Sequence, residues 1–135
     1  MMSTAIVVVA HTQQLAQSVL ELTLQMTRTP HQLWAVGGTD HGGVGTSAHK
    51  IEMALQEALE KHEGAVLLLD LGSACLNARI ASEKFRDRPV YIAEAPLVEG
   101  TILAGVAAAA GEVPEVVKAR AEEARNIRKV IGGLE

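Results

Sequence analysis

AIVVVAHTQQLAQSV, residues 5–19, passes from an apolar run ending at Ala10 straight to His11 and then to a polar stretch with helical spacing. A run this apolar, rich in β-branched residues and without alternation, reads as a strand buried on both faces, which is the situation of a parallel sheet covered by helices. In open parallel sheets ligands bind outside the carboxyl ends of the strands, so an imidazole placed directly after such a strand stands at the reactive rim.

Working outward, residues 65–70 and, more weakly, 90–93 form further apolar runs, and 32–36 reads as another strand. The segments between them carry helical periodicity. Leu15, Val19, Leu22 and Met26 share one face, as do Ile51, Ala54, Leu55, Ala58 and Leu59. A third helix over 74–85 stripes Ala74, Ala78, Ala81 and Phe85, and Pro89 closes the loop before the next strand. Helices are predicted over 101–110 and 114–130, with Pro114 in the first turn and Gly132-Gly133 past the end. The alternation predicts a single α/β domain over 1–135, an open and mainly parallel sheet of order 2-1-3-4 with helices on both faces.

Composition narrows the function. With 135 residues, 48% of them hydrophobic, the chain is long enough for one sizeable core. A net charge of −4, dispersed along the chain, suits neither a nucleic-acid surface nor a basic membrane-binding face. The apolar stretch 102–110 is about half the roughly 20 residues a bilayer span requires, so no membrane role is expected. Cys75 is the one cysteine and cannot form an internal disulfide, and no leader-like segment is seen at the N-terminus, so the expected location is cytoplasmic.

Three unusual stretches fall at the strand ends: His11, the loop GGTDHGGVGTS (Gly37 to Ser47) and DLGSACLNA (Asp70 to Ala78). Each has a plain structural alternative. His11 could start a helix, Asp70 could cap one, and the five glycines within 37–45 could build a wide turn. A nucleotide P-loop is excluded, because Gly45 is followed by Thr46-Ser47 and the lysine, Lys50, comes too late. What remains is a loop whose glycine N–H groups are free to point inward, ahead of a helix start at Thr46 or Ser47, with a second helix start at Gly72-Ser73. Together these suit a phosphoryl group carried on a neutral imidazole, with Asp70 accepting the proton of the other ring nitrogen and fixing the tautomer. No metal is expected: there is no CxxC or HxxxH pair and no second acidic cluster. His31, His49 and His62 read as solvated surface residues, and Cys75 as a small helix residue packed under the loop.

VVVAHTQQLAQSV, GGTDHGGVGTSAHKI, LLLDLGSACLNARIASE and APLVEGTILAGVAAAAGE together resemble the phosphoryl-donor subunit family of bacterial phosphoenolpyruvate-dependent dihydroxyacetone kinase, which belongs with the mannose-type enzyme IIA domains. The resemblance runs from about Ala5 to Gly111 and implies a phosphotransferase subunit. It implies that His11 is phosphorylated by the histidine-containing phosphocarrier protein of the phosphotransferase system. The group then passes to ADP on a nucleotide-binding subunit, whose ATP phosphorylates dihydroxyacetone on a third subunit. The chain itself would hold no cofactor beyond the covalent phosphoryl group. Asp70 matches the orienting carboxylate, and Gly37, Gly38, Thr39, Gly72 and Ser73 match loops beside the phosphoryl group. His41 departs from the pattern, either as a local substitution or as a phosphoryl contact. A homodimer is implied, with the apolar 97–110 stretch as one candidate contact face and core packing as the other explanation. Two alternatives stand beside this reading: a mannose-type IIA protein feeding a sugar permease, and a regulatory anion-binding module without covalent chemistry.

Overall fold

The computed structural model describes residues 3–132. Four strands, β1 (Thr4–Ala10), β2 (Leu33–Gly37), β3 (Gly64–Leu69) and β4 (Val90–Ile92), form one sheet in the order β2-β1-β3-β4. Every pairing is parallel, as the unalternating apolar runs required. The central strand β1 is buried at every position.

Each face of the sheet has its own helical layer. Val7, Val9 and Leu67 point to one face, where α2 (Ala48–Lys61) and α3 (Cys75–Ser82) pack with Ile51, Leu55, Ala58 and Ala78. Ile6, Val8, Val66 and Leu68 point to the other, under α1 (Gln13–Thr27), α4 (Leu97–Ala109) and α5 (Pro114–Glu122). The predicted stripe of α2 is the buried one in full.

Three expectations are corrected. On α1 the buried residues are Ala16, Val19 and Thr23, while Leu15, Leu22 and Met26 are exposed. The reason is close helix packing: a Cβ added at Gly105 of α4 would lie 2.7 Å from Thr23 Cγ2, so small residues, not the largest apolar ones, make the contact. The helix predicted over 114–130 ends earlier, with α5 followed by a 3₁₀ turn over Glu123–Asn126 and Ile127 extended, because no apolar residue beyond Ala124 reaches the core. His62 is buried rather than solvated: its ring packs edge-on against Trp34, and Nε2 lies 3.0 Å from the His31 carbonyl oxygen. His31 and His49 are exposed, as expected. Other boundaries shift slightly, with α4 starting at Leu97 and the third helix breaking into α3 and a 3₁₀ turn over Glu83–Phe85.

Six of the fourteen residues of the 97–110 stretch are buried inside the molecule. Gly100, Thr101, Ala104, Gly105, Ala107 and Ala108 of α4 are buried. Among the described residues, no helix is long and apolar enough to cross a membrane.

Leu55 is fully buried where α2 meets the sheet. Leu55→Ala is expected to lower stability by about 2–5 kcal/mol, read as a lower urea midpoint at unchanged slope.

Candidate functional site

The strand order reverses between β1 and β3: the chain leaves β1 toward β2 on one side and reaches β3 on the other. His11 follows the first of these strands and Asp70 the second, and the register pairs Val9 with Leu69, bringing the two residues side by side across the crevice.

The contact between them is dense. One Asp70 oxygen, Oδ2, accepts from the backbone N–H of His11 at 2.9 Å. The other, Oδ1, accepts from the backbone N–H of Leu71 at 2.8 Å. Nδ1 of the His11 ring lies 2.9 Å from Oδ1 and 3.1 Å from Oδ2. A carboxylate only accepts, so Nδ1 donates, and in the neutral ring Nε2 is the nitrogen with a lone pair. Nε2 faces outward and lies 2.8 Å from Ser73 Oγ. The His11 side chain is 20% exposed against 9% for Asp70, so the ring can be reached while its partner stays covered.

Two short turns flank the ring. On the β3 side a 3₁₀ turn over Gly72–Ala74 leads into α3 and leaves Gly72 and Ser73 exposed. On the β2 side, Gly37 presses against the backbone leading into α1. A Cβ there would lie 2.2 Å from the Thr12 carbonyl oxygen, so only glycine fits. The loop beyond it closes on itself. Thr39 N donates to Gly43 O, Gly42 N to Thr39 O and Gly43 N to Thr39 Oγ1. Gly45 N donates to the carbonyl of His11 at 2.8 Å and ties the loop to the backbone at the end of β1.

The seven expected site residues therefore divide into groups. His11, Asp70 and Ser73 are in direct contact, with Gly72 next in chain. Gly37, Gly38 and Thr39 lie at the end of β2, where Thr39 acts as the internal brace of the loop instead of offering its N–H outward. His41 is exposed, and its side chain bonds to nothing among the described residues. Cys75, the first residue of α3, is half-buried and lines a cleft with Asp70, Gly72 and Arg79.

Sequence reasoning missed Gln13, whose side chain accepts from Gly37 N at 2.9 Å and donates to the Ala35 carbonyl at 3.1 Å, joining the start of α1 to the end of β2. It also missed Asn77, which donates to Thr46 Oγ1 and joins α3 to the glycine loop. Neither carries a local signal, since both bonds span more than 20 residues of sequence. No cluster of three or more His, Cys, Asp or Glu suited to a metal occurs among the described residues.

Residues 5–118 match the EIIA-man family, described as the PTS system fructose IIA component. The chain belongs to that family. It is 30% identical over 122 residues to the PTS-dependent dihydroxyacetone kinase phosphotransferase subunit DhaM of Lactococcus lactis, covering 90% of this chain and 96% of that one. It is 35% identical to the phosphoryl donor subunit DhaM of Escherichia coli over 78% of its own length, but this match spans 24% of that longer protein. Among solved structures it resembles a protein of unknown function, EF1359, at a TM-score of 0.76 and 26% identity, over 90% of this chain and 95% of that one. It also shares the fold of the phosphotransferase system component EIIA from Streptococcus agalactiae, at a TM-score of 0.69 and 15% identity, over 93% and 96% of the two chains. The expected family and the expected sheet order both hold.

Gly37→Ala is expected to destabilise the fold by about 1–3 kcal/mol and to disturb the backbone around His11, because the new methyl cannot share space with the Thr12 carbonyl. Urea unfolding and the amide resonances of residues 11–13 measure the two effects.

Proposed function

We propose that this chain is the phosphoryl-donor subunit of a dihydroxyacetone kinase, and that it works by carrying a phosphoryl group on Nε2 of His11. The observation that carries the proposal is the ring held by Asp70 at Nδ1 with Nε2 turned outward. The names of the DhaM relatives supply the substrate class.

In the first step Nε2 attacks the phosphorus of a phosphohistidine on the histidine-containing phosphocarrier protein. The new N–P bond forms as the donor's N–P bond breaks, and the donor imidazole leaves with the electron pair. The attacking nitrogen carries no proton, so no base is needed. The proton on Nδ1 stays in place, and Asp70 stabilises the positive charge the ring acquires. Ser73 Oγ, which meets the lone pair at rest, must rotate aside, and it can then donate to a phosphoryl oxygen. In the second step a terminal phosphate oxygen of ADP held on the nucleotide-binding subunit attacks the same phosphorus, the Nε2–P bond breaks as Nε2 recovers its electron pair, and the resulting ATP phosphorylates dihydroxyacetone on the third subunit. In this reading the chain binds no nucleotide or metal of its own, and it acts as a homodimer in the cytoplasm.

The family description, which names a fructose IIA component, and the fold shared with an EIIA protein favour a second reading, transfer to a sugar permease. Reconstitution separates the two. With phosphoenolpyruvate, enzyme I, the carrier protein and both kinase subunits, dihydroxyacetone phosphate is expected to form only when this chain is present. Formation without it, or with ATP alone sustaining turnover, overturns the proposal.

An acid-labile, base-stable phosphate is expected on the parent chain and on no other residue once His11→Ala is made. Asp70→Asn is expected to fold but to slow transfer by up to about 10⁴-fold, because the amide can turn its N–H toward Nδ1 and select the wrong tautomer. Unchanged transfer rates in that variant remove Asp70 from the mechanism.

A further inference from the structure

Lys50 lies in the first turn of α2, and its side chain runs under the glycine loop. Nζ donates to the carbonyl oxygens of Gly37 at 2.7 Å and Thr39 at 3.5 Å. The residue is half-buried, yet no carboxylate among the described residues pairs with it. Two carbonyl dipoles do not neutralise an ammonium, and a partly desolvated charge without a counter-ion is an unfavourable arrangement that folding alone gives no reason to keep. The nearest acidic residue of the loop, Asp40, is engaged elsewhere, accepting from Ser47 Oγ.

The space beside this ammonium is built for something small. A half-open pocket of about 110 Å³ is lined by Thr12, Gln13, Gly37, Gly38, Gly42, Gly43, Val44 and Lys50. Four of the eight lining residues are glycine, which leaves no side chain to fill the space. Gly38 has φ +83, and a Cβ there would sit 3.6 Å from Lys50 Nζ and 3.3 Å from Gly43 O, so a side chain at that position would crowd the pocket. The same loop uses the N–H groups of Thr39, Gly42 and Gly43 in internal bonds and that of Gly45 on the His11 carbonyl, so glycine amides supply less positive potential than their number suggests. The fixed positive charge on this side of the site is therefore Lys50.

We infer that Lys50 and the glycine backbone around it form a binding pocket for a phosphate-class oxyanion, which supplies the missing counter-ion. That an anion binds follows from the pocket alone. That the anion is the phosphoryl group in transit through His11 rests on the function proposed above. Lys50 then acts at the end of β2 as a charge that holds the phosphoryl oxygens.

The test uses the whole chain and reads the Lys50 side-chain Nζ and Cε resonances. Titration with inorganic phosphate is expected to shift them saturably in the parent and in His11→Ala, and phosphorylation of the parent on His11 is expected to shift them as well. Lys50→Gln keeps a donor for the Gly37 carbonyl while removing the charge. It is expected to bind no phosphate and to accept the phosphoryl group at least about tenfold more slowly, with Lys50→Arg restoring part of the rate. If neither phosphate nor phosphorylation moves the Lys50 resonances of the parent, the pocket is overturned, whatever the variants do. A parent rate of phosphorylation in Lys50→Gln likewise overturns its place in the transfer. Phosphate binding without any labelling of His11 upholds the pocket and overturns the function proposed above.

Discussion

The His11–Asp70 contact is the joint on which the site depends. It spans the crevice between the two strands where the sheet changes direction, and it is made of main chain as much as side chain, since Asp70 accepts the backbone N–H groups of His11 and Leu71 together with the Nδ1 proton. A carboxylate held this way cannot turn without breaking several bonds, so the ring it supports has a fixed tautomer and direction. A ring nitrogen held so needs little reorganisation before it meets a ligand, since its position and direction are already set.

Around that joint the fold supplies rigid anchors. Gly37 touches the Thr12 carbonyl, Gln13 holds both Gly37 and Ala35, and Gly45 donates to the His11 carbonyl. The loop that follows β2 is thus attached to the segment from His11 to Gln13 at several points rather than lying free on the surface. Its internal bonding through Thr39 fixes the loop's shape, and Lys50 beneath it bonds the carbonyls of Gly37 and Thr39.

Much of this was legible in the sequence because buried parallel strands announce themselves by unbroken apolar runs, and chain order then sends His11, the glycine loop and Asp70 to one rim. The stripe of α2 was legible for the same reason, since Ile51, Leu55 and Leu59 are large and the surface they cover is broad. α1 was misjudged because its packing is governed by distance of approach: Gly105 admits Thr23, and size alone points to Leu22 and Met26. His62 was misjudged because its burial depends on Trp34, far away in sequence. The glycine loop was read as a source of free amide donors, yet Thr39 and its neighbours consume them in bonds that no local pattern reveals. For the same reason Lys50, too late in the chain for a P-loop, gives no local sign that its side chain reaches back to the loop it follows.

The two main-chain bonds on Asp70 belong to the backbone of residues 11 and 71, not to the imidazole. A descendant bearing some other side chain at position 11 would still have its crevice latched shut by that carboxylate. Such a lineage could lose the imidazole in a single step while preserving its outline, so the shape of the crevice and the chemistry of the side chain at position 11 are separable.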